Sequence, residues 1–164
     1  MLSRCCWAQI EQKGNPGMFK LRSRQFHKVW LRIASVLLGV FGPVFFLGTM
    51  EATTEPVRWS LDLLSWPLDG RQSYADPTLR FVSALTGGFL LGWAVLIWNL
   101  SGATYDAASE SVRRSVVVGF LAWFVLDSAG SIASGNNSNA LFNVLVLLIL
   151  VGPLWAPAKN SPAN

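Results

Sequence analysis

A few polar residues lie inside the apolar second half of the chain, where polar side chains are costly and therefore informative. Asp127 stands in one apolar run, Ser131 follows it at the spacing of one helical turn, and Asn143 lies in the next apolar run. Such groups can bind a ligand, or they can hydrogen-bond to one another between helices. The structural interpretation is favoured because no second acidic residue lies within an apolar run.

Other chemistries lack the residues they require. Metal or haem ligation needs sets of His, Cys or carboxylate side chains, but the sequence has one His, His27, and two adjacent Cys, Cys5 and Cys6. No Ser has a neighbouring His base for nucleophilic catalysis. We therefore expect no catalytic residue, no metal and no cofactor, and we expect His27 to be solvated or to face lipid headgroups.

The composition indicates a membrane protein. Of 164 residues, 52% are hydrophobic, 13% are charged and eight are Trp, whereas about 25% charged residues are usual in globular domains. The net charge is +4. Six of the 13 Lys and Arg residues precede the first apolar run, a concentration that indicates membrane topology rather than binding to nucleic acid.

Four apolar runs predict the fold class, an all-α integral membrane four-helix bundle. Each is close to the roughly 20 residues that cross a bilayer as a helix. Pro43 in the first run predicts a kink. The predicted spans are about 30–50, 81–100, 115–134 and 139–156, within a transmembrane domain of residues 29–157, and the last three are joined by a polar loop at 101–114 and a tight turn at 135–138.

The long loop at 51–79 contains a predicted short helix from Pro56 to Trp66. Its polar residues fall on one stripe and its two Trp lie elsewhere, as in helices that lie in the membrane interface. A helix that only caps the bundle, or one that docks a partner, is the alternative.

The N-terminal segment 1–28 is a basic lead. Met18 directly follows a helix-breaking Gly-Asn-Pro-Gly sequence, so we expect the natural start at Met18, with residues 1–17 either a non-native extension or a loose tail. A cleaved signal peptide is the alternative, but the apolar run is longer than signal peptides use. Residues 158–164 should form a disordered tail.

Lys and Arg counts predict the orientation. The N-terminal segment, the 101–114 loop and the C-terminus share one side and carry most of the basic residues, whereas the acidic 51–79 loop lies on the other. The positive-inside rule then places both termini in the cytoplasm of a bacterial cell, with the protein in the inner membrane.

This topology places Asp127 about seven residues, or roughly 10 Å, below the outer end of its helix. At a period of 3.6 residues it shares a face with Trp123, Gly130, Ser131 and Ser134. Partners are expected on neighbouring helices at the same depth. We predict one network of Asp127, Arg80, Ser83, Ser131 and Asn143, with Asn139 on the face of Asn143, Thr86 as a weaker candidate, and a direct or water-mediated Asp127–Arg80 interaction.

Ala84, Gly88 and Gly92 recur every four residues in the second span. Small residues at this spacing let two membrane helices approach closely. The repeat therefore predicts a contact with a second copy of the chain or with another membrane protein.

The order of a kinked first helix, an outer loop, a Gly-rich second helix and a closing hairpin resembles the small four-helix bacterial membrane proteins of the DoxX type. Residues 76–93, Asp-Pro-Thr-Leu-Arg-Phe-Val-Ser-Ala-Leu-Thr-Gly-Gly-Phe-Leu-Leu-Gly-Trp, carry the resemblance, which covers about residues 30–156. It implies a four-helix bundle and, for some members, association with quinone-linked oxidoreductases. No family site residue maps onto this chain.

Three functions are compatible with these features. A structural or accessory subunit of a membrane assembly comes first, and a module that binds or transports a small ligand, such as a quinone or a lipid headgroup, at the Asp127 cluster comes second. A redox enzyme comes last because the sequence lacks cofactor ligands.

Overall fold

The computed structural model describes residues 23–158. The expectations for most of the basic lead, for a start at Met18 and for nearly all of the C-terminal tail fall outside these residues. Within them, every element is helical. The elements are α1 (Arg24–Leu47), α2 (Glu55–Leu64), α3 (Pro77–Asn99), α4 (Tyr105–Ala133) and α5 (Asn137–Val151), with short helical turns at Glu51–Thr53, Leu100–Thr104 and Gly152–Leu154.

Local sequence explains where several helices begin and end. Ser23 caps α1 by accepting from the Phe26 N–H, and Asp76 caps α3 by accepting from the Thr78 N–H at 2.7 Å. Short polar side chains at this position satisfy backbone N–H groups that the first helical turn leaves without partners. After α4, Gly135 adopts a φ of +81° and starts the turn into α5.

Helices α1 and α3 form an antiparallel pair with unusually close backbones. A Cβ atom added to Gly87 would lie 2.7 Å from the Gly42 carbonyl oxygen, and one added to Gly42 would lie 2.9 Å from the Leu91 Cβ. At the end of the same contact, Ser35 donates to the Ala94 carbonyl at 2.7 Å. Pro43 lies within α1 beside this contact.

Helices α4 and α5 form the second antiparallel pair. Arg113 contacts the Leu154 carbonyl at one end, and Asn139 contacts Ser131 at the other. The two pairs also meet midway, where the Trp93 and Phe120 rings lie 4.8 Å apart.

The four long helices run between two ends of the molecule, which we name by their composition. The basic end comprises residues 24–32, 99–114 and 150–155; the loop end comprises residues 47–83 and 131–139. The apolar core lies towards the basic end and is formed mainly by Leu31, Ala34, Ile97, Tyr105, Val112, Val116, Val117, Phe120, Leu150, Val151 and Leu154.

The predicted polar loop at 101–114 is wrong for most of its length, because α4 begins at Tyr105. Glu110 pairs with Arg113 and Arg114 at i+3 and i+4, and such pairs stabilise a helix. The chain reverses instead at the turn Leu100–Thr104, where Gly102 has non-helical dihedral angles.

Three helical segments of the described chain are long and apolar enough to cross a membrane. They are Arg24–Leu47, the 57-residue stretch Pro77–Ala133, and Asn137–Leu154. The second stretch contains both α3 and α4. Large apolar side chains cover the outside of all three, including Phe89 and Leu126, which are 76% and 79% exposed.

Candidate functional site

Asp127 is hydrogen-bonded across the α4–α5 hairpin. Its Oδ2 accepts from the Asn143 side-chain amide at 2.6 Å and from the Asn139 amide at 3.1 Å. The two asparagines lie four residues apart and therefore share a face of α5. Asn139 also donates to the Ser131 Oγ at 2.8 Å, and Asn143 to the Ser128 Oγ at 3.2 Å.

Burial differs within this set. Asn143 and Ser131 are buried between the two helices, whereas Asp127 is exposed. The side chain of Asp127 lines an open groove of about 470 Å³ together with Trp123, Leu126, Gly130, Ser131 and Ser134. Five of these six residues form the face of α4 expected from helical periodicity. Asp127 therefore lies at the outer surface of the hairpin and not inside the bundle.

The predicted network divides into two separate sets of contacts. Arg80 and Ser83 do not join Asp127. The Ser83 Oγ donates to the Phe45 carbonyl at 2.6 Å and accepts from the Tyr74 hydroxyl at 3.1 Å. It thus ties the loop before α3 to the end of α1.

The predicted Asp127–Arg80 pairing is corrected accordingly. Arg80 donates from Nε to the Tyr74 carbonyl at 2.8 Å and forms an ion pair with Glu51 at 3.5 Å. The reason is that α3 pairs with α1, so the start of α3 lies beside residues that precede it in the chain. Thr86 donates to the Val82 carbonyl of its own helix.

Polar groups of the loop between α1 and α3 are also paired among themselves. Asp62 is buried and accepts from the Asp69 and Gly70 backbone N–H groups, while Arg58 donates to the Gln72 carbonyl at 2.9 Å. The predicted polar stripe of α2 therefore faces protein. At its end, the Ser138 hydroxyl donates to the Leu64 carbonyl and connects α2 to α5.

A second polar cluster, at the basic end, was missed by sequence reasoning. His27 is fully buried, and its Nδ1 lies 2.8 Å from the hydroxyl of Tyr105, which is also fully buried. The prediction of a solvated His27 is wrong because α1 begins at Arg24 and carries His27 into the contact with α4. Lys28 pairs with Asp106 at 2.6 Å one residue further along both helices.

Arg113 lies at the same end of the molecule, where it binds backbone carbonyls. It is 9% exposed and donates to the Leu154 and Trp155 carbonyls at 2.7 and 3.0 Å. These carbonyls lack helical partners because the helix ends there, and a guanidinium near a C-terminus satisfies them. The Glu110-x-x-Arg113 spacing was the available signal, but it indicates only a helix surface pair.

Electrostatics at the basic end follow from these contacts, which precede the apolar residues 115–134. Hydrogen bonds from Arg113 and Arg114 lower the pKa of Glu110 from 4.5 to about 2. Burial raises the pKa of the Tyr105 hydroxyl above its ordinary value. Both groups therefore hold one protonation state around neutral pH.

No metal centre is formed by the part of the chain that is described: no three His, Cys, Asp or Glu side chains come together there. Comparison with known proteins adds no assignment. No protein-family model matches the chain, and neither a curated protein nor a solved structure gives a significant match.

Proposed function

We propose that the chain is an integral protein of a bacterial inner membrane and a non-enzymatic structural or accessory subunit of a membrane assembly. Its long helices are apolar over lengths that fit a bilayer, and their outer surfaces stay apolar. On this proposal α1, α3, α4 and α5 each cross once. We also propose that the four crossings are arranged as in DoxX-type proteins.

The proposed orientation places the basic end in the cytoplasm. The described part of that end carries Arg24, Lys28, Arg32, Arg113 and Arg114, whereas acidic residues outnumber Arg at the loop end. The positive-inside rule favours this arrangement. Trp59 and Trp66, seven residues apart at α2, are 64% and 63% exposed, and we assign them to the outer membrane interface.

The observation that supports the subunit proposal is a face of α3, formed by small residues, against which no other part of the described chain packs. The close contact of α3 with α1 uses Gly87, whereas Cβ atoms added at Gly88 or Gly92 would meet nothing within 4 Å. Ala84 lies on the same face and is half-buried. Small residues left open on a membrane helix suit a second helix that packs there.

Gly88→Leu tests this proposal. The added side chain has room within the chain but should block a second helix. We expect the protein purified in mild detergent to have a mass above that of a monomer, and Gly88→Leu to return it to the monomer mass. Gly130→Leu, at another open helical glycine, is the matched control and should change nothing in this measurement. A wild-type protein that is monomeric and free of bound protein would contradict the proposal.

The groove at Asp127 favours a second candidate function, the binding of a small ligand such as a quinone or a lipid headgroup. An open groove of about 470 Å³ that combines one acidic side chain and two serines with the apolar Trp123 and Leu126 offers both polar and apolar contacts to a ligand. A ligand that raises the melting temperature of the wild type, but not of Asp127→Asn, would support this function.

A further inference from the structure

Only one of the two carboxylate oxygens of Asp127 accepts hydrogen bonds from the described part of the chain. Both amide donors, from Asn139 and Asn143, reach Oδ2. Across residues 23–158, no hydrogen bond reaches Oδ1, and the Asp127 side chain forms part of the groove wall. Asp127 is exposed in this open groove, so a donor bound there can reach Oδ1.

The charge of this site is also unbalanced. Asp127 takes part in none of the ion pairs formed within the described chain. Its partners Asn139 and Asn143 are neutral amides. The basic side chain nearest in the predicted network, Arg80, is held by Glu51 instead. A cationic donor that reached Oδ1 would form a stronger hydrogen bond to this carboxylate than a neutral donor does.

One half of the groove is apolar and the other half is polar. Trp123 and Leu126 line the half towards the middle of α4, and Ser131 and Ser134 line the half towards the loop end. Eleven residues separate Trp123 from Ser134, which is roughly 16 Å of helix. Gly130 has no side chain between them, and a Cβ added there would meet nothing within 4 Å.

We infer that this groove binds a membrane lipid whose headgroup carries a primary ammonium, with one ammonium N–H donating to Asp127 Oδ1. The inference rests on the second candidate function and names its ligand class. The polar half of the groove holds the headgroup, and the hydrocarbon part lies against Trp123 and Leu126. A lipid is favoured over a soluble amine because Leu126, 79% exposed, lines a groove on the outside of the hairpin.

Native mass spectrometry of the full chain tests the inference. The protein is equilibrated with equal amounts of phosphatidylethanolamine, whose ammonium has N–H donors, and phosphatidylcholine, whose ammonium has none. We expect the wild type to retain about tenfold more phosphatidylethanolamine, the ratio that a single charge-assisted hydrogen bond supplies.

Two variants should remove this preference by different routes. Asp127→Asn removes the charge and keeps the shape, and Gly130→Leu fills the groove while keeping the carboxylate. Gly130→Leu has room for its side chain, so the fold should be retained. Asp69→Asn, in the exposed outer loop, and Gly88→Leu are the matched controls and should retain the wild-type preference.

Three results would overturn the inference. Equal retention of both lipids by the wild type, lost in Gly130→Leu, would keep a ligand site but remove its selectivity for an ammonium. Retention that neither groove variant changes would overturn the ligand site as well. Disulfide formation between two copies of Ser134→Cys, with Cys5 and Cys6 replaced by Ser, would show that a second copy covers the groove.

Discussion

The two ends of the molecule pair their polar groups differently. At the basic end, titratable and charged side chains are paired between elements: His27 with Tyr105, Lys28 with Asp106, and Arg113 with the Leu154 carbonyl. At the loop end, Ser83 joins α3 to α1 and Arg80 binds the Tyr74 carbonyl, while Asp127, just below that end, contacts only residues of the α4–α5 hairpin. The polar groups named at the basic end are thus paired within the chain. In the α4–α5 hairpin, Oδ1 of Asp127 accepts no hydrogen bond from the described residues.

This difference predicts that substitutions at the basic end and substitutions in the groove have different effects, the first on stability and the second on binding. The apolar core and the buried cationic group lie at the basic end, so substitutions there should mainly reduce stability. The groove of the α4–α5 hairpin and the bare glycines of α3 contribute little packing within the chain. Substitutions at those positions should mainly change what the protein binds.

The largest effect is expected from Phe120→Ala. Phe120 is fully buried in the core and packs on Trp93. Removing a buried aromatic ring costs about 3–5 kcal/mol of unfolding free energy. Phe89→Ala, at a site 76% exposed on α3, should cost far less. Unfolding in mixed detergent micelles measures both, and equal losses would show that the core does not lie where the structure has it.

A smaller loss is expected from Arg113→Ala. It leaves the Leu154 and Trp155 carbonyls without their donor, at a cost of about 1–3 kcal/mol. Arg114→Ala removes only a contact with Glu110 from a side chain that is 72% exposed, and exposed pairs contribute about 0–1 kcal/mol. The same unfolding measurement compares the two variants. A greater loss of unfolding free energy for Arg114→Ala would contradict the role given to Arg113 as donor to the two carbonyls.

The smallest effect is a pH dependence carried by Glu110. Its pKa is lowered from 4.5 to about 2 in the folded chain. The unfolded state therefore binds the proton first as the pH falls, and stability that is present above pH 4.5 is lost as the pH approaches 2. Glu110→Gln should flatten this part of a plot of melting temperature against pH. An unchanged acid limb would mean that Glu110 does not gain from its arginines in the folded state.

How far sequence predicted the structure depends on whether contacts are local. The all-helical class and the shared face of Asn139 and Asn143 follow from spacing along one helix, and the structure shows both of them. The number of membrane crossings remains a prediction. Asp127 and Ser131 share a face of α4 for the same local reason, and Asn139 contacts both side chains.

The failures concern which helix lies beside which. Arg80 was assigned to Asp127 by depth alone, but α3 packs on α1, and depth does not specify neighbours. The contact expected at Gly88 with a second chain stays a prediction, and the close contact within the chain is made by Gly87, one residue away on a different face. His27 was judged from its basic surroundings in sequence, and its partner Tyr105 lies 78 residues further along.

The central claim is that the basic end lies inside the cell and the loop end, with its groove, opens outside. Single cysteines at Thr104 and Ser134, both exposed, report on the two ends once Cys5 and Cys6 are replaced by Ser. A membrane-impermeant maleimide applied to intact cells should label Ser134→Cys, and should label Thr104→Cys only after permeabilisation. Labelling of Thr104→Cys in intact cells, with Ser134→Cys protected until permeabilisation, would contradict the account.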